Sequence, residues 1–295
     1  MSVKTQSVAR PNLACEVTYD QVVAARTASG GSTLEGYSSY GLPQGSLLPG
    51  LATSNVHDRE SLRAAISAAL AEVADRSRDV IAIVPDAAVR IVLLDFDTLP
   101  EKRADADAMV RFRLKKSLPF DVEQAAVSYD VHLHGGAVKV LAAVSMRSVL
   151  DEYEGAFRDA GYTPGVVIPS MFAALGTVQA EEPTLVLKVD STTSTLAIVD
   201  SNQLLLFRTL ENPFTGRVSG EQLAEDIYPS LVFFEDNYSL QVRRILVGGR
   251  VTAADVGPSL QAQSGAQVMD LIADDGAGNG RVPAAQLVGV MGALA

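Results

Sequence analysis

Two pairs of side chains in the middle of the sequence have the spacing of metal ligands or paired carboxylates. His132 and His134 lie two residues apart in a strand-like segment, so both project from one face. Asp95 and Asp97 are related in the same way. A metal site needs further ligands, and none of suitable spacing lies near the histidines. We therefore expect a surface strand for the first pair and a solvated strand edge for the second.

The chain contains few residues of the types used in nucleophilic catalysis, because it has only three His and one Cys, Cys15. No Ser-His-Asp or Cys-His arrangement can be inferred from them. The segment Asp274–Gly280 suggests a calcium loop, but it lacks the spaced ligands and closing Glu of an EF-hand, so we interpret it as a flexible loop. The single cysteine excludes an internal disulfide framework and fits a reducing compartment.

The charge of the chain argues against a nucleic-acid partner. Its formal net charge is -11, whereas binding to phosphates needs clustered Lys and Arg. Basic residues do cluster once, at Arg111, Arg113, Lys115 and Lys116. Charged faces of helices are commonly solvated, so we interpret this cluster as an exposed helix face.

Neither a signal peptide nor a membrane-spanning segment is predicted. Residues 1–12 are polar and contain no apolar run. The longest apolar stretch, Ala285–Ala295, is shorter than the roughly 20 residues that span a bilayer. Pro283 before it suits the first turn of a buried helix. We expect a cytoplasmic protein with no direct membrane insertion, which a partner would hold if it works at a membrane.

The periodicity of the chain predicts an α/β protein with an internal duplication. Three consecutive strands followed by a helix and a strand occur twice, on either side of the polar segment Glu181–Pro183, which we predict as a domain boundary. Pro229 is expected to kink or split the helix predicted at 220–238. Strands are predicted at 13–18, 21–26, 33–40, 79–85, 88–96, 125–133, 138–144, 163–168, 185–190, 195–199, 204–210 and 244–247. Helices are predicted at 58–75, 101–117, 147–160, 169–179, 220–238, 252–264 and 283–294.

The order of these elements and several motifs resemble the PilM family of type IV pilus assembly proteins. Ile91–Pro100, a charged helix and then Lys115–His132 resemble the family's stretch around an "iPF" turn. Lys139–Leu175 resembles its strand, helix, "aGl-P" turn and following helix. Arg243–Val268 resembles its adenosine motif, and Val282–Ala295 its closing helix of small residues. The shared order over nearly the whole chain carries the resemblance.

The resemblance implies the actin-like (ribonuclease H-like) fold of two domains, shared with the cell-division protein FtsA and the cytoplasmic part of the type II secretion protein GspL. We expect a first domain at residues 1–182, with an inserted α+β subdomain at about 95–160, and a second domain at 183–295. In the family, a subdomain called 2B follows the strand that ends here near Leu210. Residues 211–220 pass almost directly into the next helix, so subdomain 2B is expected to be missing.

The resemblance also implies a site for ATP with Mg²⁺ between the domains. Two loops rich in small residues let backbone N–H groups reach the phosphates, and acidic residues organise the hydrated metal. The first loop corresponds to the segment that starts at Glu16. Glu16 can hold a metal-bound water, but the segment has no glycine, and Tyr19 is bulky where phosphate should approach.

The second loop corresponds to Asp190, Ser191, Thr192 and the residues after them. It keeps the acidic residue and supplies hydroxyl groups, but glycine is missing again, and a polar hairpin turn explains the same residues. Gly248 and Gly249 are compatible with a turn that faces adenine. We expect a degenerate site, weak or absent binding of ATP with Mg²⁺, and no ATPase activity.

In the PilM family, the short cytoplasmic N-terminal tail of the single-pass membrane protein PilN binds in a groove beside the inserted subdomain. An extended tail can pair its backbone with the protein and place alternate side chains in pockets. Phe112, Leu118 and Phe120 are candidates for the apolar wall of that groove, or else core residues of the insert. A pilus motor ATPase is a further candidate partner.

The hypothesis we prefer is a non-catalytic scaffold of a type IV pilus or related secretion platform. Two alternatives stay open from the sequence. One is a nucleotide-binding actin-like ATPase or switch, and the other is a filament-forming actin homologue, which the net charge of -11 disfavours at low salt.

Overall fold

The structure is a computed structural model that describes residues 10–28, 31, 33–134, 137–212, 218–273 and 282–295. The loop expected at Asp274–Gly280 lies outside the described residues. Among those residues, no helix is both long and apolar enough to cross a membrane.

The elements are numbered in chain order. The strands are β1 (Leu13–Val17), β2 (Gln21–Thr27), β3 (Leu34–Gly41), β4 (Asp79–Val84), β5 (Arg90–Phe96), β6 (Ala125–His134), β7 (Ala137–Met146), β8 (Thr163–Pro169), β9 (Thr184–Val189), β10 (Thr193–Asp200), β11 (Gln203–Glu211), β12 (Arg244–Gly249) and β13 (Gln267–Asp270). The helices are α1 (Arg59–Val73), α2 (Arg103–Leu114), α3 (Arg147–Asp159), α4 (Ser170–Leu175), α5 (Gly220–Tyr238), α6 (Ala253–Ser264) and α7 (Val288–Leu294). Short 3-10 turns occupy Asp86–Ala88, Val122–Gln124 and Ala284–Leu287.

Two five-stranded sheets repeat one strand order. The first sheet has the order β3-β2-β1-β4-β8 and the second has the order β11-β10-β9-β12-β13. In each sheet the first strand in the chain pairs antiparallel with the second and parallel with the fourth. The internal duplication predicted from the sequence is confirmed. A third, three-stranded antiparallel sheet with the order β5-β7-β6 is not hydrogen-bonded to either large sheet, and we call it the small sheet.

Each large sheet buries one face under two helices. α1 and α3 cover the first sheet, where Leu62, Ile66, Tyr153 and Phe157 join its core. α5 and α6 cover the second sheet in the same way. The pattern of apolar residues three and four apart in α1 explains this packing, and the Asp58 carboxylate starts the helix by accepting the Ser61 N–H at 3.0 Å.

The opposite faces of the two sheets meet across a middle layer made of α4 and α7. Leu287, Val290 and Leu294 pack with β1, β2 and β4 in one apolar cluster, whereas Met171 of α4 packs against β9 and β10. The end of the chain therefore returns to the first sheet. The predicted second domain, 183–295, includes α7, although this helix contacts mainly the first sheet. The domain boundaries stay predictions.

The small sheet and α2 share a separate apolar core. This sheet begins at Arg90, before the start predicted for the insert. α3 joins the core of the first sheet, although it also contacts β6 and β7 of the small one. The chain goes from the end of β11 to the start of α5 at residues 211–220, and the predicted loss of subdomain 2B stays a prediction.

The expected break at Pro229 is wrong, because α5 continues through this residue as a single helix. Proline removes one backbone donor and crowds the preceding turn. Pro229 and Glu225, the residue whose carbonyl loses its partner, both lie on the exposed side of α5. The buried face with Leu223, Ile227 and Phe234 holds the helix on the second sheet through this defect.

Candidate functional site

Four charged side chains meet where β1, β4 and β9 end between the two large sheets. Glu16 lies in β1, Asp86 follows β4, Lys188 lies in β9 and Asp190 follows it. β1 and β4 are parallel, so their carboxyl ends lie at one edge of the first sheet. Glu16, Asp86 and Lys188 are at most 2% exposed. We call these four residues the central cluster.

Lys188 is the centre of this cluster. Its Nζ lies 2.8 and 2.9 Å from the two carboxylate oxygens of Asp190 and 3.0 Å from Oε1 of Glu16. An ammonium group has three N–H donors, and these three oxygens satisfy them. Burial alone lowers the pKa of Lys188, but the carboxylates of Asp190, Glu16 and Asp86 outweigh it and raise the pKa well above its usual value. Lys188 is therefore charged.

Glu16 is enclosed by the middle layer as well as by Lys188. The Ser170 hydroxyl at the start of α4 donates to Glu16 Oε1 at 2.5 Å. On the other side α7 passes so close that a Cβ on Gly289 would lie 2.2 Å from Glu16 Oε2. Only glycine fits there. Burial raises the pKa of Glu16 more than the neighbouring ammonium lowers it.

Asp86 completes the charge balance of the cluster. The backbone N–H of Met171 donates to Asp86 Oδ1 at 2.9 Å, whereas Oδ2 has no hydrogen-bond partner among the described residues. Burial raises the pKa of Asp86 to about 7, against the nearby Lys188 charge that lowers it. Burial thus favours the neutral acid at Asp86 more than at an ordinary aspartate.

Asp20 connects the two sheets directly at the solvent side of the central cluster. The Ser191 hydroxyl, in the β9–β10 turn, donates to Asp20 Oδ2 at 2.7 Å. The guanidinium of Arg250, just after β12, forms an ion pair with the same oxygen. Asp20 belongs to the β1–β2 turn, so the turns that close the two sheets touch each other through side chains.

A second feature is a groove of about 670 Å³ between the small sheet and the second sheet. β5 and β11 form its sides, and each is the edge strand of its sheet. Phe172 and Phe207 form part of the apolar floor, with ring centroids 5.5 Å apart in an edge-to-face contact. Leu93 and Phe233 line the groove and are 38% and 45% exposed. An apolar groove between two strand edges suits an extended peptide.

Comparison with known proteins gives matches among solved structures. No family model matches the chain, and no curated protein matches its sequence. A PilM-PilN type IV pilus biogenesis complex matches with TM-score 0.78 and 18% identity, covering 96% of this chain and 98% of the other. EutJ, an ethanolamine utilization protein of Carboxydothermus hydrogenoformans, matches with TM-score 0.55 and 9% identity, covering 96% and 89%. The cytoplasmic domain of EpsL, from the type II secretion system of Vibrio cholerae, gives 0.50 and 12%, covering 80% of each chain.

These likenesses and the strand order repeated in both sheets decide the fold class. The chain has an actin-like fold. The architecture predicted from the sequence is confirmed, including the inserted small sheet. At these low sequence identities the comparisons establish only the fold. The chemistry of the site has to be inferred from the residues of this chain.

The residues present do not fit the metal and nucleotide that an actin-like fold implies. The phosphates of such a nucleotide lie between the turns after β1 and β9, but here Asp20 and Ser191 are hydrogen-bonded across that space. The position for a metal beside Glu16 is taken by the Lys188 ammonium at 3.0 Å. A hydrated Mg²⁺ keeps several waters, which need room that α4 and α7 do not leave around Glu16.

The remaining residues predicted for the nucleotide site have structural contacts. Thr192 lies in the β9–β10 turn, and its carbonyl accepts the Asn212 N–H at 2.8 Å. Gly249 has φ +87°, and a Cβ there would lie 2.2 Å from the Val189 carbonyl oxygen. Gly248 packs against Val288 of α7 in the same way. These contacts match the hairpin interpretation, while a role for these residues in nucleotide binding stays a prediction.

The three residues predicted for a partner groove lie on the insert. Phe112 is 66% exposed on α2. Leu118 and Phe120 are partly buried against the core of the small sheet, as the alternative interpretation expects. None of the three is among the residues that line the groove between β5 and β11. Their part in binding stays a prediction.

The other side chains noted in the sequence lie on the surface where the structure describes them: Asp95, Asp97 and His132 are exposed, and the side chain of His134 lies outside the described ones. His132 is exposed beside Asp130, and Asp95 forms an exposed ion pair with Lys139 at 2.8 Å. Within the described residues no group of three His, Cys, Asp or Glu side chains could hold a metal ion. Of the basic cluster, Arg113, Lys115 and Lys116 are exposed, and Arg111 donates to the Val122 carbonyl at 3.0 Å. The expectation of a solvated helix face is confirmed for Arg113 in α2, whereas Lys115 and Lys116 are exposed just after the helix ends.

Sequence reasoning missed Lys188 and Asp86. A signal for Lys188 was present: it is the one charged residue within the apolar run Thr184–Val189, and a lysine inside a buried strand requires an anionic partner. Asp86 follows Pro85 at the end of an apolar strand, a position that looks like an ordinary turn. Its burial depends on α4, which comes from another part of the chain.

Proposed function

We propose that this protein is a non-catalytic scaffold of a type IV pilus or related secretion platform at the inner membrane. The observation that carries the proposal is the likeness of fold to the PilM-PilN complex over nearly the full length of both chains. The likeness to the EpsL cytoplasmic domain, from an inner-membrane component of a secretion system, supports the same setting. The protein is then cytoplasmic and peripheral to the membrane.

The groove between β5 and β11 supports binding of an extended tail of a PilN-like membrane protein. Edge strands offer unpaired backbone N–H and C=O groups, and the leucine and phenylalanine side chains of the groove can receive alternate side chains of a tail. The basic residues Arg90, Lys139 and Arg208 line the groove together with the single acidic residue Asp95. The groove is thus more positive than the chain, whose net charge is -11.

The central cluster supports the absence of catalysis. Glu16 and Asp190 are engaged by Lys188, so these two carboxylates are not free to organise a metal-bound water. Asp86 is buried beside them, with its Oδ1 on the backbone N–H of Met171. A pilus motor ATPase remains a second candidate partner in this proposal, and it would supply the hydrolysis that this chain lacks.

Calorimetry with a synthetic peptide tests the proposal. The peptide is the N-terminal cytoplasmic tail of the single-pass membrane protein encoded beside this chain. We expect saturable binding, and we expect Leu93→Glu to abolish it while the melting temperature stays near that of the wild type, because Leu93 is partly exposed. A charge placed in an apolar groove must be desolvated when the peptide binds.

Val166→Glu is the matched control. It introduces the same charge at an exposed apolar residue of β8 that lies outside the groove. We expect it to bind the tail as the wild type does. Phe112→Glu tests the wall predicted on α2. Loss of binding in Phe112→Glu but not in Leu93→Glu would move the site to α2. Absence of binding to the wild type would count against the scaffold itself.

A further inference from the structure

The residues of this site do not fit the nucleotide and metal of an actin-like fold, chiefly because the Lys188 side chain lies between them. We propose that the Lys188 ammonium is a built-in cation that replaces the metal and nucleotide of an actin-like site and holds the two large sheets in one closed arrangement. The proposal rests on the fold and on the contacts of the central cluster. It does not depend on the partner proposed above.

All three N–H donors of the Lys188 ammonium have a carboxylate partner, as the positions around a bound cation would be filled by ligands. These donors reach three carboxylate oxygens at 2.8 to 3.0 Å. Two of these oxygens belong to Asp190 beside the second sheet, and the third belongs to Glu16 in the first sheet. The ammonium therefore connects the sheets, as a metal with a nucleotide connects the domains of an actin-like ATPase.

The charge of the cluster requires such a cation. Glu16, Asp86 and Asp190 lie close enough for each to affect the protonation of a neighbour, and the first two are almost fully buried. Buried carboxylates without a counter-ion repel one another and lose hydration. Lys188 supplies the positive charge from within the chain, so no ion from solution is needed.

The contacts around the cluster keep the two large sheets close together. Ser170 of α4 donates a hydrogen bond to Glu16, Gly289 of α7 packs against it, and Asp20 contacts both Ser191 and Arg250 at the solvent side. These contacts come from both sheets and from the layer between them. Opening the sheets to admit a nucleotide would break all of them and would leave Lys188 without its Glu16 partner in a buried position.

The first experiment measures melting temperature with and without cations. The wild type should show no change with millimolar Mg²⁺, Mn²⁺ or ATP with Mg²⁺. Lys188→Ala removes the ammonium but keeps the carboxylates, so it should melt about 4 °C or more below the wild type, because buried carboxylates are left without a counter-ion. Lys139→Ala, which removes a partly buried lysine paired with Asp95 on the small sheet, should melt close to the wild type.

Several outcomes would overturn the proposal. A rise in the melting temperature of the wild type with ATP and Mg²⁺ would mean that the site opens and accepts a nucleotide. A folded Lys188→Ala that melts like the wild type would mean that the ammonium does not hold the sheets.

A double variant decides the case in which Lys188→Ala does not fold. Lys188→Met leaves Glu16 buried without its cation, whereas Glu16→Gln combined with Lys188→Met removes both charges and keeps an acceptor for Ser170. We expect the double variant to have a higher melting temperature than Lys188→Met. Removing one partner of a buried ion pair leaves an uncompensated charge and destabilises the fold more than removing both partners. Equal or lower melting of the double variant would refute the pairing on which the proposal depends.

Discussion

At the scale of the residue, the protonation of Asp86 makes a contribution to stability that depends on pH. Burial raises its pKa from 3.8 to about 7. Between these values the folded protein binds a proton at Asp86 that the unfolded chain does not bind, so the contribution of this residue to stability is fully present below the unfolded pKa and is lost as pH rises through the folded pKa. The sign is opposite to that of an ordinary paired aspartate, whose pKa is lowered on folding.

Asp86→Asn tests this sign, because the amide keeps an acceptor for the Met171 N–H but cannot ionise. Relative to this variant, the wild type should lose about 1.4 kcal/mol of unfolding free energy per pH unit between roughly pH 5 and pH 7. Urea denaturation at pH 5, 6, 7 and 8 measures the difference.

Asp79→Asn, at the exposed start of the same strand, is the control. It removes an aspartate without touching the central cluster, so its stability difference from the wild type should not change with pH in this way. If the wild type and Asp86→Asn also differ by a constant amount across the range, Asp86 is not protonated in the folded protein.

At the scale of the element, glycines let the helices of the middle layer cross in close contact. A Cβ on Gly292 of α7 would lie 2.0 Å from the Ala173 carbonyl oxygen of α4, and one on Gly176 would lie 2.1 Å from the Gly292 carbonyl oxygen. Backbone oxygens cannot turn aside as a side chain can. The closing helix of small residues noted in the sequence is therefore needed to fit α7 between two sheets.

Gly292→Ala should destabilise the protein by about 3 kcal/mol or more, since the added methyl group must push α4 and α7 apart. Gly165→Ala in β8 is the control, because a Cβ at Gly165 meets no atom within 4 Å. Its effect should stay within about 0.5 kcal/mol. Thermal and urea denaturation of both variants give the comparison, and equal effects would contradict the close crossing.

At the scale of the whole molecule, two sets of contacts connect the large sheets, and they differ in burial. The central cluster is enclosed, whereas the ion pair of Arg250 with Asp20 has side chains that are 40% and 28% exposed. Water and salt weaken an exposed pair, so the buried cluster and the apolar middle layer should account for most of the connection.

A double-mutant cycle of Asp20→Ala and Arg250→Ala measures the exposed pair. We expect a coupling energy of about 0.2 to 1 kcal/mol that decreases as salt is added. The single variants should remain folded. A coupling energy several times larger would mean that the solvent side of the cluster, rather than Lys188, holds the sheets together.

Local patterns were enough to predict most elements of this fold. Apolar runs such as Asp79–Val84 and the helical spacing in α1 produced ranges within a few residues of those observed. β13 was missed because its four residues carry no buried apolar pattern. Pro229 was misjudged because packing of the opposite helix face outweighs the local defect.

The sequence by itself determined the two repeated sets of strands, the acidic net charge and the single cysteine, because periodicity and composition can be read without the tertiary structure. It also placed Glu16 and Asp190 at the ends of strands. Only the tertiary structure decided what those positions do. Ser170 reaches Glu16 across 154 residues of chain, and Lys188 reaches it from the other sheet. No local pattern specifies such a meeting, since it depends on how α4 and α7 pack between the sheets.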